Sequence, residues 1–173
     1  MKIYIIMICV VLFIYIQKNN MVWVQSSFNN KQYLIKKTDN VALNVKKATI
    51  LSKIENRANL LIQSLPNDKR KTLLLSKSIQ FQERSSSHDV GYTINKGDKI
   101  GLCIENDINT LMFICIHELA HVCTKEIGHT KLFWENFKYI LEAAIKSDIY
   151  DYRNYNINPK MYCKTNINFT PVK

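Results

Sequence analysis

The sequence contains little glycine or proline, with four glycines and three prolines among 173 residues. It also contains no internal repeat. The hydrophobic fraction of 47% and the charged fraction of 22% are those of a folded globular protein, so wholesale disorder is excluded. A chain of this length without repeats is expected to form one domain that buries its own core.

Acidic residues are also scarce. The chain carries 14 Asp and Glu against 24 Lys and Arg, which gives a formal net charge of +10. Such an excess can indicate a partner of opposite charge, either nucleic acid or an anionic membrane surface. However, the lysines are spread along the chain, and an AT-rich coding sequence would produce the same richness in Asn, Lys, Ile and Tyr. We therefore do not favour a dedicated nucleic-acid surface.

The cysteines show no C-x-x-C pair and no spacing typical of a disulfide framework. Cys103, Cys115, Cys123 and Cys163 are therefore expected to be free, partly buried thiols. Cys115 and Cys123 each lie two residues from a histidine of the same predicted helix. That offset directs them away from the face that the histidines share, so they are not predicted as metal ligands.

No hydrophobic run reaches the ~20 residues that a membrane-spanning helix needs. The longest run, residues 3–16, has the length of a signal-peptide core, but no small-x-small cleavage site follows at the usual distance. A second apolar patch around Trp23 would suit an interfacial anchor. We expect residues 1–24 to be an uncleaved N-terminal hydrophobic helix that tethers a domain of residues 25–173 to a membrane. Secretion after signal cleavage is the first alternative, and a buried N-terminal strand is the second.

The rest of the chain reads as a mixture of strands and helices, which predicts an α+β fold. Hydrophobic periodicity, capping residues and turn signals mark the elements. We predict a strand at 32–35, a helix from about Val41 to Leu65, a shorter helix at 67–76, a polar loop at 85–91, a β-hairpin within 91–104, a helix from Thr110 to about Ile127 and a helix from about Thr130 to Ser147.

The helix that begins near Thr110 carries the most informative stretch, "TLMFICIHELAHVCTKEIGHTKLFW". It is apolar on nearly every side, which is typical of a helix buried at the centre of a domain. His117 and His121 are four residues apart, so their side chains share one face at about 5–6 Å between Cβ atoms. Glu118 is rotated by about 100° from His117, close enough to act on a molecule that both histidines hold.

A zinc ion would account for all three polar residues, whose burial would otherwise cost several kcal/mol. Catalytic zinc takes three protein ligands and leaves a fourth position for water, whose pKa falls to about 7. A neighbouring carboxylate can then accept the water's proton and deliver it to the leaving amine. The H-E-x-x-H pattern on a helix is the signature of this arrangement. We therefore predict one catalytic Zn²⁺, with His117 and His121 as ligands and Glu118 as general base.

The identity of the third zinc ligand decides the subclass of H-E-x-x-H peptidase that the sequence predicts. Gly128 is placed to reverse the chain after the helix, which would bring His129 back to the metal. A metzincin would require glycine at position 124 and histidine at position 127, where this chain has Thr124 and Ile127. We favour His129, with Glu142 of the following helix as the alternative.

The motif "HELAH…GHTKLFW" resembles that of the WLM and SprT-like zinc metallopeptidases, a group that includes the Spartan-like DNA–protein crosslink proteases. The resemblance covers about residues 91–147. The layout of the whole chain is also similar to that of predicted proteins of large DNA viruses. The resemblance implies a compact zincin-like domain with a small sheet packed on the H-E-x-x-H helix. It also implies that His117, His121 and His129 are zinc ligands and that Glu118 is the general base.

In such a domain, an extended substrate can add to the strand beside the metal through main-chain hydrogen bonds. We therefore predict substrate-binding roles for Tyr92, Thr93 and Trp134, and a shielding role at the metal for Trp134 as well. Tyr92, Tyr155 and Tyr162 are candidates to stabilise the transition state. The C-terminal tyrosines are expected to pack back onto the domain rather than to stack on single-stranded nucleic acid.

The predicted function is that of a zinc-dependent endopeptidase, membrane-tethered and monomeric, that acts on protein or peptide substrates. One alternative is a DNA-associated protease of the crosslink-repair type. The other is a non-catalytic module that zinc stabilises.

Overall fold

The computed structural model describes residues 6–7, 20–84 and 91–172 of the chain. Within residues 20–84 and 91–172 the fold is α+β, with a five-stranded sheet, a separate two-stranded sheet and four helices. The strands are β1 (Met21–Gln25), β2 (Gln32–Lys36), β3 (Gln80–Glu83), β4 (Gly91–Ile94), β5 (Lys99–Leu102), β6 (Lys160–Tyr162) and β7 (Thr165–Ile167). The helices are α1 (Val41–Ser64), α2 (Lys69–Leu75), α3 (Ile108–Cys123) and α4 (Lys131–Lys146).

The large sheet has the strand order β1-β2-β3-β5-β4. Its central pairs, β2 with β3 and β3 with β5, are parallel, and its two outer pairs are antiparallel. The predicted hairpin is confirmed as β4 and β5. Because β4 forms one edge of the sheet, its outer side is available to a further strand. The central strand β3 was not predicted from the sequence.

Helices α1 and α3 pack on the sheet, with α1 against β1, β2 and β3 and with α3 against β4 and β5. Both helices also contact α4. Helix α3 is buried on almost every side, as its composition predicts. Asp107 caps its N-terminus, because the Asp107 side chain accepts a hydrogen bond from the backbone N–H of Thr110. It ends at Cys123, earlier than the predicted Ile127, so a loop precedes α4.

The prediction of an N-terminal hydrophobic helix that anchors the chain in a membrane is wrong. In residues 6–7, 20–84 and 91–172, no helix is both long enough and apolar enough to cross a bilayer. The apolar patch at Met21–Val24, which was assigned to the anchor, instead pairs with β2 as part of strand β1. Apart from residues 6 and 7, the apolar run 3–16 lies outside the described residues, as does the predicted polar loop except for Gly91.

The prediction that all cysteines are free thiols is also wrong. Cys103, which directly follows β5, forms a disulfide with Cys163 in the turn between β6 and β7. The two are 60 residues apart in the chain, which is why spacing gave no sign of the pair. Cys115 and Cys123 are free and buried, as expected. The disulfide attaches the small β6–β7 sheet to the end of β5.

Three of the four C-terminal tyrosines pack back onto the domain, in agreement with the prediction, whereas Tyr152 is 42% exposed. Tyr150, Tyr155 and Tyr162 are all at most 2% exposed. The ring of Tyr155 lies edge-on to Phe113 of α3, with 4.7 Å between centroids. The hydroxyl of Tyr162 accepts a hydrogen bond of 3.0 Å from the backbone N–H of Cys103. The tail therefore forms part of the core rather than an exposed stacking surface.

Candidate metal centre

Three histidine side chains meet at one point beside α3. His117 and His121 come from successive turns of this helix, and His129 comes from the loop that leads into α4. Gly128 has a φ of +84°, a conformation that glycine adopts without strain, and this turn directs His129 back towards the helix. The three ring centroids form a nearly equilateral triangle with sides of 4.9, 5.0 and 5.0 Å. The sequence prediction of this cluster therefore agrees with the geometry.

The ring nitrogens of His117 and His129 are separated by nearly the distance between two ligands of a tetrahedral zinc site. Nε2 of His117 and Nε2 of His129 are 3.1 Å apart. At a Zn–N distance of about 2.0–2.1 Å, two ligands of a tetrahedral site are separated by about 3.3 Å. One ligand atom from each of the three histidines lies within 4.8 Å of the others. Three imidazoles without a carboxylate are a donor set that suits zinc.

His117 and His121 are also in the protonation state that metal binding needs. Burial lowers the pKa of His117 to about 3, and the neighbouring His121 and His129 act in the same direction. Burial also lowers the pKa of His121 to about 4, with further contributions from His129 and from the positive charge of Lys96. Both rings are therefore neutral at pH 7 and offer a lone pair.

Phe133 forms the base of the cluster. It is fully buried in the first turn of α4, and its ring centroid lies 4.3 Å from that of His121 and 4.6 Å from that of His129. His117 is 4.9 Å from the same ring. This apolar surface restricts the directions in which the imidazoles can turn. The side chain of Thr130 caps α4 and so fixes the helix start that carries Phe133.

Glu118 is buried next to the histidines and points towards β4. It is 4% exposed, and its Oε2 accepts a hydrogen bond of 2.7 Å from Oγ1 of Thr93. Gly91, at the start of the same strand, leaves room for the carboxylate, since a Cβ there would lie 2.7 Å from Oε1 of Glu118. The predicted substrate-binding residue Thr93 therefore contacts the predicted general base.

The loop that carries His129 is held by a residue that the sequence analysis did not single out. Nζ of Lys96, in the β4–β5 turn, donates hydrogen bonds to the carbonyl oxygens of Thr124, at 3.0 Å, and of Lys125 and Glu126. On the other side, the buried amide of Asn136 donates to Oγ1 of Thr124 at 3.0 Å. The β-hairpin and α4 thus fix the start of the loop. A lysine in a turn gives no sequence signal for such a role.

The histidines and Glu118 face a cleft of about 640 Å³. The cleft is lined by β4 and the Asn95–Lys96 turn, and also by residues 165–169, which comprise β7, Asn168 and Phe169. Trp134 lies within it, with its ring 5.5 Å from His129 and 5.0 Å from Phe169. Trp134 was predicted to lie at the metal, whereas the contribution of the C-terminal residues to the lining of the cleft was not predicted.

The other predicted site residues separate into two groups. Tyr92 and Thr93 line the cleft, and the Tyr92 hydroxyl accepts a hydrogen bond of 2.6 Å from Gln82. Tyr155 and Tyr162 belong to the core and do not line it.

Glu142, the alternative third ligand, lies elsewhere on α4. It is exposed and forms an ion pair of 3.8 Å with Lys138. It is not among the side chains that cluster with the histidines within the described part of the chain.

Comparison with known proteins shows relatives in large DNA viruses. The chain is 28% identical over 164 residues to an uncharacterized protein of Acanthamoeba polyphaga mimivirus, an alignment that covers 84% of this chain and 82% of the relative. It is 28% identical over 139 residues to an uncharacterized protein of Invertebrate iridescent virus 6, with coverage of 71% and 78%. A third relative, an uncharacterized protein of Invertebrate iridescent virus 3, is 42% identical over 79 residues, with coverage of 42% and 48%. No protein-family model matches the chain, and no solved structure matches it.

Proposed function

We propose that the protein is a zinc-dependent metallopeptidase that hydrolyses peptide bonds. The observation that carries the proposal is the convergence of three imidazoles, whose ligand atoms lie within 4.8 Å of one another, beside a buried glutamate in a cleft bordered by an edge strand. His117, His121 and His129 would hold the ion. A bound zinc ion supplies a water ligand of lowered pKa and polarises the carbonyl of the peptide bond.

The protein's own residues provide the proton transfers and the substrate position. Glu118 accepts a proton from the attacking water at its carboxylate and delivers it to the departing amine nitrogen. Thr93 fixes the direction of this carboxylate through its hydrogen bond to Oε2. Strand β4, at the edge of the sheet, offers main-chain hydrogen bonds to an extended substrate.

Metal content distinguishes His129 as the third zinc ligand from the alternative ligand Glu142. The full-length chain, His129→Ala and Glu142→Ala are purified in parallel, and zinc per chain is measured by mass spectrometry of the element. We expect one zinc in the wild-type protein and in Glu142→Ala, and less than 0.1 in His129→Ala. Zinc that is lost only in Glu142→Ala would assign the third ligand to Glu142.

Activity is then tested on a reduced and carboxymethylated protein substrate, which is unfolded and accessible. The zinc-loaded wild type is expected to cleave it, and Glu118→Gln, which keeps the three histidines, is expected to be inactive. A wild-type protein that binds zinc stoichiometrically but cleaves no unfolded protein would instead support a non-catalytic module that zinc stabilises.

A further inference from the structure

Residues of two strands line the cleft at the histidine cluster. β4 is an edge strand of the large sheet, and β7 belongs to the small sheet that the disulfide attaches to the end of β5. Both strands line the same cleft of about 640 Å³. An extended chain advances about 3.3 Å per residue, so a cleft of this volume can hold a segment of a few residues.

The surface of this cleft is mainly apolar. Its large aliphatic and phenylalanine or tryptophan side chains come from α3, from the loop before α4, from α4 and from the C-terminal residues: Phe113, Ile114, Ile127, Trp134, Phe137, Ile167 and Phe169. Apart from the histidines and Glu118, its charged lining residues are Lys96 and Glu126. Lys96 is bonded to the carbonyls of the metal loop, and Glu126 accepts a hydrogen bond from Oγ1 of Thr130. Both charges therefore have partners within the protein, and the cleft favours an apolar group.

The apolar surface begins directly at the metal centre. Trp134 lies between His129 and Phe169, with centroid distances of 5.5 and 5.0 Å. Phe169 is 47% exposed, so a bound group can still cover part of its ring. A side chain that contacts Trp134 and Phe169 is therefore close to the ligand His129, and in a peptide substrate it would belong to a residue next to the cleaved bond.

We propose that Phe169 and Trp134 determine specificity. The substrate is an extended polypeptide segment that places a large apolar side chain against these two rings, beside the bond to be cleaved. This inference rests on the proposed peptidase function, since it names the substrate class of the same site. Burial of such a side chain is expected to strengthen binding at least tenfold relative to a charged one.

Tryptophan fluorescence provides a test that does not require catalysis. The chain has two tryptophans, so Trp23→Phe leaves Trp134 as the only one. In this background, Glu118→Gln is loaded with zinc and titrated with a set of eight-residue peptides that differ at one central position, Leu, Phe, Asp or Lys. We expect the Leu and Phe peptides to bind at least tenfold more tightly than the Asp peptide. Equal affinities for all four peptides would overturn the proposal.

Phe169 variants then identify the group responsible. Phe169→Ala should reduce the preference for Leu over Asp to less than threefold, and Phe169→Lys should reverse it. Phe28→Ala is the matched control, because Phe28 is 50% exposed and lies outside the cleft, and it should keep the full preference. An unchanged preference in both Phe169 variants would also overturn the proposal. Selective peptide binding by a protein whose zinc-loaded wild type cleaves none of the peptides would instead contradict the peptidase function alone.

Discussion

Thr93 Oγ1 donates a hydrogen bond of 2.7 Å to Oε2 of Glu118, and this contact joins the edge strand β4 to the helix of the metal centre. The strand that we propose to bind substrate is thereby connected to the proposed general base. A buried carboxylate has several rotamers, and the hydrogen bond favours one of them. The position of the base therefore depends on the position of the strand.

Thr93→Val should reduce kcat without removing zinc. Valine has nearly the same shape but cannot donate to Glu118, and a hydrogen bond to a charged group contributes about 1.5–3 kcal/mol. We expect kcat to fall about 10-fold or more, with one zinc per chain retained. Thr93→Ser, which keeps the hydroxyl, should recover most of the rate. Steady-state kinetics and metal analysis of both variants provide the check, and equal rates for Val and Ser would show that the contact does not position the base.

Lys96→Met should weaken zinc binding. Loss of the bonds from Nζ to the carbonyls of residues 124–126 leaves the loop before His129 less well ordered, so the third ligand must be fixed when the ion binds. We expect the zinc dissociation constant, measured by competition with a chelator, to rise about 10-fold. Lys99→Met is the matched control, because Lys99 is an exposed lysine of the same hairpin. An equal effect of the two changes would attribute the loss to charge alone.

The histidine cluster could be predicted from the sequence because its residues are close together in the chain. The i, i+4 spacing of His117 and His121 depends only on helix geometry, and the turn at Gly128 is a local backbone property. The structure brings the same three histidines together. The polar residues Asp107 and Thr130, which cap α3 and α4, were likewise recognisable from their positions just before apolar stretches.

The features that escaped prediction depend on contacts between distant parts of the chain. Strand β1 was interpreted as part of an anchor because its apolar residues follow an apolar run, and only its pairing with β2 makes it a strand. The disulfide between Cys103 and Cys163, and the contact of Trp134 with Phe169, both require the C-terminal residues to return to the sheet. No local pattern of residue types encodes that return.

Asp107→Asn should lower stability at neutral pH but not in strong acid. Burial alone would raise the pKa of Asp107, but hydrogen bonds from Lys160 and Thr110 and the charge of Arg153 lower it well below the ordinary 3.8. The carboxylate therefore contributes stability above pH ~4, and this contribution disappears as the pH falls towards the folded-state pKa.

The urea midpoints of wild type and Asp107→Asn should thus differ by a constant amount between pH 5 and 7. The difference should shrink steadily below pH 4. Asparagine still caps a helix, so the comparison isolates the charge. A difference that grows as the pH falls would contradict this account.

The disulfide between Cys103 and Cys163 should make a large contribution to stability, because it closes a loop of about 60 residues. In the chain-entropy description, a loop of this length stabilises the folded state by about 4 kcal/mol relative to the reduced chain. We expect a reducing agent to lower the unfolding midpoint of the wild-type protein in urea.

The double variant Cys103→Ser, Cys163→Ser should unfold at the lower midpoint and should not respond to the reductant, which separates loss of this bond from other effects of reduction. Mass spectrometry of an unreduced tryptic digest should find the peptides of Cys103 and Cys163 linked. If the wild-type midpoint is the same with and without reductant, and no linked peptide is found, the C-terminal residues must be attached to the sheet by packing alone.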